Sequence, residues 1–263
     1  MTLGAHLIEL RNRLIIAAAA IVVGLGVGFF LTTWVWDMLR APLEQLEIDG
    51  RTAEITYTDI GSGFDLRVQI ALFIGVIIAS PVWLWQIWRF FAPGMKRREK
   101  RFAILFLMIA VPLFLAGVWV AWMVMPNIVR VMSTFQPSVD SFQLNARSYL
   151  DFALKLMLAV GIGFILPLVL VMLNLLGVLR GASILKSWRI ALLAILAFAG
   201  IATPAAEITT MLLLSVPLVA LFLLAAGVAL LNDRRVDRKR AAELAEYGLS
   251  DSDEEVPESE PQR

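Results

Sequence analysis

The chain has 263 residues, 59% of them hydrophobic, and its mean hydropathy of +0.78 is too high for a soluble globular protein of this length. Its 23 Lys and Arg almost balance its 22 Asp and Glu, but the two signs are segregated along the chain. Because the chain has no cysteine, disulfides, thiolate metal sites and thiol catalysis are excluded.

Six apolar segments predict an all-α integral membrane protein, since about 20 apolar residues cross the hydrocarbon core of a bilayer. They lack the alternation at every second residue that β-barrel strands require. The first segment is longer than the hydrophobic region of a typical signal peptide and no small-residue cleavage site follows it, so we expect it to be retained. The predicted helices cover residues 14–36, 68–88, 102–125, 152–177, 190–202 and 208–231.

The basic residues predict that both termini lie in the cytoplasm. In this orientation 17 of the 23 Lys and Arg fall on the inner side and six on the outer side, in agreement with the positive-inside rule. The first outer loop, residues 37–67, holds seven acids and three bases, which is compatible with export.

Prolines interrupt four of the predicted helices, at Pro81, Pro112, Pro167 and Pro217. Each one removes a backbone N–H donor and tends to bend its helix. Bent helices favour a curved arrangement with a concave face, although membrane helices also tolerate proline without this consequence.

The fifth apolar segment, residues 190–202, predicts an unusually short helix. Its 13 residues span only about 20 Å, which is less than the thickness of the bilayer. Either the bilayer thins to meet the following turn, or the cations that precede the segment dip inward and snorkel to the surface.

Residues 232–263 are expected to form a disordered cytoplasmic tail, separate from a membrane domain of residues 1–231. Basic residues between Arg234 and Arg240 are expected to hold the end of the sixth helix at anionic lipid. Residues 241–247 can continue the helix, whereas residues 251–263 are acidic and contain Ser and Pro, a composition typical of disorder.

Motifs for catalysis, phosphate binding or metal binding are not apparent. No predicted helix has an ionisable residue in its middle, where ion-coupled carriers usually place one. The only histidine is His6, and the sequence has neither a nucleophile elbow nor a His-Glu-x-x-His pair. We therefore expect no enzyme, no metal or cofactor site and no nucleic-acid partner. Two functions remain: a receptor without catalysis, and a small-solute transporter or channel subunit.

Two carboxylates, Glu9 and Glu99, stand among eleven Lys and Arg on the predicted inner face before residue 232. A carboxylate in such surroundings either holds its basic neighbours in place or receives a cation from another molecule. Glu9 and Arg13 are spaced i, i+4, and an exposed pair of this kind contributes only about 0.3–0.5 kcal/mol. From the pattern alone, both interpretations stay open.

Several segments together resemble the TatC family, the large subunit of the twin-arginine protein translocase. Residues 6–14 (HLIELRNRL) resemble its N-terminal signature, and residues 80–94 (SPVWLWQIWRFFAPG), with Glu99 among bases, resemble a second one. The likeness covers residues 6 to about 231. Further matching positions are Ala41-Pro42-Leu43, Thr58-Asp59, Phe164, Pro167, Thr203-Pro204 and Val216-Pro217.

The resemblance implies a receptor in the cytoplasmic membrane for the twin-arginine signal peptides of folded cargo proteins. Transport in the family is driven by the proton-motive force without a nucleotide. The resemblance also implies that Glu9 and Glu99 contact the paired arginines, and that Leu10, Arg11 and Phe90 belong to the same site.

The resemblance further implies partners and structural residues. The fifth and sixth helices of the family dock the single-helix subunits TatA and TatB, and a homo-oligomer within a larger complex is expected. The residues expected at the docking surface are Glu207, Thr210, Met211 and Leu212. The prolines expected to be structural are Pro42, Pro81, Pro93, Pro167 and Pro217.

Three positions depart from the common family pattern. Ile165 replaces a frequent glutamate, Gln69 a frequent lysine, and Met211 a frequent glutamine. These replacements make the expected concave face less polar, so we expect partner docking there to depend more on packing than on a buried hydrogen bond.

Overall fold

The computed structural model describes residues 3–48, 52–56, 61–91, 100–134, 141–203 and 208–246. These ranges contain eight α-helices and two short strands. In chain order the elements are α1 (Leu3–Ile48), β1 (Thr52–Thr56), α2 (Ser62–Ile78), α3 (Ser80–Phe91), α4 (Lys100–Thr134), β2 (Ser141–Asn145), α5 (Ala146–Leu175), α6 (Gly181–Lys186), α7 (Trp188–Ala202) and α8 (Ile208–Glu246).

Four helices, α1, α4, α5 and α8, are long and apolar enough to cross a membrane, and α2 with α3 makes a fifth candidate if the bent pair counts as one span. The prediction of a helical membrane protein is therefore confirmed, whereas six complete spans stay a prediction. Helix α7 is apolar but has only 15 residues, or about 22 Å of length.

The helix predicted over residues 68–88, with a bend at Pro81, is not continuous: α2 and α3 are separate helices bent by 57° that together can form one broken span. Pro81 is the second residue of α3 and has no N–H to donate to the carbonyl of residue 77, so a continuous helix loses a hydrogen bond there. The indole Nε1 of Trp83 donates to the Val76 carbonyl at 3.0 Å. This bond satisfies one of the carbonyls left free at the end of α2.

The other prolines behave differently. Pro112, Pro167 and Pro217 each lie inside a helix that continues on both sides, α4, α5 and α8 respectively. Pro42 lies within α1, and Pro93 lies outside the described residues.

The predicted disordered tail also needs correction, because α8 continues without interruption from its apolar part to Glu246. Residues 232–246 are therefore helical. The hydrophobic part of the helix ends where the basic residues begin, but Arg, Lys, Ala and Glu are good helix formers and do not end the helix. Residues 247–263 lie outside the described residues.

A two-stranded parallel ladder connects the segment after α1 to the segment before α5. It pairs Thr52 with Ser141 and, at its other end, Thr56 with Asn145. These strands were not predicted from the sequence. Beyond the ladder, the hydroxyl of Tyr149 on α5 donates to the Leu39 carbonyl on α1 at 2.7 Å, so the same regions are also joined by a buried side chain.

Close backbone contact joins α1 to α2 and thereby holds α3 beside the beginning of α1. A Cβ atom added at Gly24 on α1 would lie 2.7 Å from the carbonyl oxygen of Gly75 on α2. Small residues at such positions let membrane helices approach closely and gain van der Waals contact. Helices α4 and α5 use the same device at Gly117 and Gly161.

Candidate functional site: a groove between α1 and α3

A groove of about 340 Å³ lies between α1, near its N-terminal end, and α3. The residues from α1 recur every three or four positions, so they lie on one face of the helix. The two residues from α3, Gln86 and Arg89, are spaced i, i+3 and also share a face. The lining residues are Ile8, Glu9, Asn12, Arg13, Ile16, Gln86 and Arg89.

Glu9 and Arg13 form an ion pair within this groove, with Nη2 of Arg13 donating to Oε1 of Glu9. The Arg13 side chain is only 12% exposed, and that of Glu9 is 29% exposed. Two further guanidinium nitrogens of Arg13, Nε and Nη1, are buried without a hydrogen-bond partner among the described residues. The i, i+4 pairing considered from the sequence is therefore present, and it leaves Arg13 only partly satisfied.

Three of the other predicted signal-binding residues, Leu10, Arg11 and Phe90, lie on the two helices that form the groove. Leu10 and Arg11 are exposed and do not line the groove, and Arg11 donates to Asn12 Oδ1 at 3.4 Å. Phe90 is half-buried and follows the lining residue Arg89 directly. Glu99 lies outside the described residues, so its position relative to Glu9 stays a prediction.

Gln86 and Arg89 were not selected from the sequence. The signal that indicates them is simple, because they are the only strongly polar side chains in the aromatic and aliphatic sequence of α3 after Ser80. A polar pair at helical spacing on such a helix points to a face that is not covered by lipid.

The predicted docking residues differ in their exposure. Thr210 is only 2% exposed, which argues against its direct contact with a partner. Met211 is half-buried, and its sulfur would lie 3.4 Å from a Cβ added at Gly200 on α7. Leu212 is exposed, and Glu207 lies outside the described residues.

Two of the positions that depart from the family pattern are Ile165, which lies in apolar surroundings, and Gln69, whose side-chain oxygen lacks a hydrogen-bond partner among the described residues. Ile165 is buried in the same hydrophobic cluster as Leu84 and Trp88. The side-chain oxygen of Gln69 and the indole Nε1 of Trp88 are buried and have no hydrogen-bond partner in the described part of the chain. Ile165 therefore contributes packing where a glutamate would bring a charge.

Comparisons with known proteins agree over most of the chain. Residues 5–217 match the family model described as Sec-independent protein translocase protein (TatC). A protein of that name from Xylanimonas cellulosilytica is 41% identical over 246 residues, which cover 93% of this chain and 89% of the relative. Another from Rothia mucilaginosa is 37% identical over 243 residues, covering 92% and 83%.

A crystal structure of the twin-arginine translocase receptor TatC superimposes with a TM-score of 0.72 and 29% sequence identity, covering 85% of this chain and 99% of that chain. The sequence and structural comparisons thus agree on a protein translocase component without enzymatic activity. They favour this function over the small-solute transporter that the sequence left open. The chain belongs to the TatC family of Sec-independent protein translocase proteins.

Proposed function

We propose that this chain binds twin-arginine signal peptides in the groove between α1 and α3. One observation carries the proposal: of the groove residues that the structure describes, Glu9 alone is a carboxylate, it is partly exposed, and its present partner is already a guanidinium. The site can therefore accept the side chain that defines the signal. Glu99, Phe90, Leu10 and Arg11 complete the proposed site.

The energetics favour arginine in this position. A guanidinium binds a carboxylate through two parallel hydrogen bonds, whereas lysine offers a compact ammonium that cannot make the bidentate contact. Hydrogen bonds to charged groups contribute about 1.5–3 kcal/mol each. Even one such bond at each carboxylate, Glu9 and Glu99, supplies roughly 3–6 kcal/mol in total to a paired arginine motif, in addition to burial of the apolar part of the signal in lipid.

A photo-crosslinking experiment tests the location of this site. A photoreactive residue at Gln86 is expected to capture a twin-arginine signal peptide in membranes, because Gln86 lines the groove opposite Glu9. The same residue at Leu193, which is exposed on α7, is the matched control. Equal capture from Leu193 and Gln86 contradicts the proposed location, whereas equal capture of a twin-lysine peptide at Gln86 contradicts the preference for arginine.

We also propose that the chain spans the cytoplasmic membrane six times with both termini in the cytoplasm. The excess of Lys and Arg on the inner segments supports this orientation. In this arrangement α2 and α3 together form the second span and α7, despite its length, forms the fifth. Residues 1–231 form the membrane domain, and the prolines shape a concave face.

Partner docking is proposed at α7 and α8, for single-helix subunits of the TatA and TatB type. An exposed apolar stripe at i, i+4 spacing, Ile208, Leu212 and Val216, supports this assignment. The short α7 beside it favours association with another helix, because hydrophobic mismatch is relieved by oligomerisation. We propose that several copies of the chain assemble with these partners, and that the proton-motive force drives export.

A further inference from the structure

Arg13 has no role in the proposed contacts with the signal, although it is the ion-pair partner of Glu9. We infer that Arg13 is an intramolecular competitor of the signal arginine, which occupies Glu9 in the resting receptor and sets the affinity threshold for cationic segments. This inference rests on the proposed function and deepens it.

The geometry gives Arg13 the same contact that an arriving arginine requires. Its Nη2 donates to Oε1 of Glu9 across one turn of α1. This oxygen therefore already accepts a hydrogen bond from a guanidinium. Both side chains line the same groove, so a signal guanidinium that enters it meets a carboxylate already in use. Binding then requires that one guanidinium replace another.

The incomplete satisfaction of Arg13 makes this replacement feasible. The Nε and Nη1 atoms are buried and lack hydrogen-bond partners among the described residues, and unmade hydrogen bonds of buried donors are costly. When Arg13 leaves Glu9 and turns toward water or lipid headgroups, these donors gain partners. A long side chain with an apolar stem can make such a movement without leaving the helix face.

A second cation in the groove, Arg89 on α3, further raises the affinity threshold for cationic segments. Together Arg13 and Arg89 outnumber the one carboxylate that the structure describes among the lining residues. A weakly binding cationic segment therefore meets both repulsion and an occupied acceptor. Only a ligand with several favourable contacts overcomes both, as a signal with paired arginines and an apolar stretch does.

If Arg13 competes with the signal, its removal changes peptide affinity in a different way than if it only supports the structure of the groove. In a competition model, removing the competitor tightens the binding of every cationic ligand by the same factor. Arg13→Gln is therefore expected to bind a twin-arginine signal peptide about three- to tenfold more tightly, which is up to ~1.4 kcal/mol. It is expected to bind a twin-lysine peptide more tightly by the same factor, so that the ratio of the two affinities does not change.

The measurement is peptide affinity for the purified full chain in lipid nanodiscs at fixed lipid composition and salt. Lys186→Gln removes one exposed positive charge from α6 and controls for net charge. Arg13→Lys retains the charge but weakens the pair, so a smaller gain is expected from it. This variant also keeps the test decisive if Arg13→Gln folds poorly.

A double-mutant cycle separates competition from simple repulsion. Arg13→Gln is expected to strengthen binding less in a Glu9→Gln background than in the natural chain, because no ion pair is then left to break and only the repulsion by Arg13 is removed. A gain as large in that background as in the natural chain, or no gain in Arg13→Gln and Arg13→Lys, overturns the inference. If Glu9→Gln alone leaves peptide affinity unchanged, the proposed function is contradicted. If Glu9→Gln weakens binding and the Arg13 variants do not strengthen it, only the competitor role is refuted.

Discussion

Asn174 at the end of α5 donates from Nδ2 to Oδ1 of Asp233 on α8 at 2.7 Å. The other oxygen of Asp233 accepts the N–H of Gly181 at 2.6 Å, and Asn232 donates to Asn174 Oδ1 at 3.1 Å. The network joins α5, α6 and α8 at the point where the apolar part of α8 ends and its basic part begins. Asp233 therefore fixes the junction between the membrane part of α8 and its extension.

Asp233→Ala is expected to lower the free energy of unfolding by about 1–3 kcal/mol, because Asn174 and the Gly181 N–H lose their acceptor in a partly buried place. Asp237→Ala, one turn further along and exposed, is the control and is expected to change it by less than about 0.5 kcal/mol. Thermal unfolding of the purified variants in one detergent provides the comparison. Equal effects from the two substitutions are incompatible with this function of Asp233.

The contact between α1 and α2 gives a second stability prediction. Gly24→Ala places a Cβ 2.7 Å from the Gly75 carbonyl oxygen, so the helices must separate, at a cost of about 1–3 kcal/mol. Gly26→Ala lies two residues away on the same helix with nothing within 4 Å of the added atom. This control is expected to be neutral or slightly stabilising, because alanine has the higher helix propensity. Unfolding midpoints that fall equally for both show that the close approach is unimportant.

The topology can be tested by labelling single cysteines, and no other residue will be labelled as a cysteine because the natural chain has none. Single cysteines at positions 95 and 185 are expected to react with an impermeant reagent only from the cytoplasmic side, and those at positions 50 and 140 only from the other side. The physical reason is the excess of basic residues on the inner segments. Labelling of position 50 from the cytoplasm contradicts the proposed orientation.

Partner docking predicts a pattern of crosslinks along α8. Photoreactive residues at Leu212 and Val216 are expected to capture a single-helix subunit, since both side chains are exposed. Met211 is expected to crosslink less efficiently, because it packs toward Gly200 of α7. Met108 on α4 is equally apolar and 70% exposed, and it serves as the lipid-facing control. Capture from Met108 without capture from Leu212 places the partner elsewhere.

Much of this architecture could be predicted from hydropathy, since long apolar segments identify α1, α4, α5 and α8 directly. The break between α2 and α3 could not, because Pro81 is compatible with either a bend or a new helix, and the Trp83 bond that completes the end of α2 is a tertiary contact. The parallel ladder was missed for a similar reason. Its strands, TAEIT and SFQLN, each alternate polar and apolar residues over five positions, but they are distant in sequence, and so short an alternation does not show that the two segments pair.

The candidate site was predicted in part. Spacing alone paired Glu9 with Arg13, and the pair is found. The contribution of α3 depends on how the bend directs Gln86 and Arg89 toward α1, which periodicity cannot show. Nor could the burial of Arg13 be predicted, because helix spacing places a neighbour without indicating how much of its guanidinium remains unsatisfied.

In the proposed function, Glu9 and Glu99 receive the paired arginines of a signal peptide. Glu9→Gln and Glu99→Gln keep the shape of the side chain and remove its charge. Each is expected to weaken binding tenfold or more, or ~1.4 kcal/mol, while the protein still assembles in the membrane.

The most direct measurement is the affinity of a twin-arginine signal peptide for the natural chain, both single variants and the double variant in membranes, at matched expression. We expect a loss of affinity in each single variant, a greater loss in the double variant, and weaker binding of a twin-lysine peptide to the natural chain. Unchanged affinity in all three variants would contradict the proposed function and show that these glutamates only hold their basic neighbours in place.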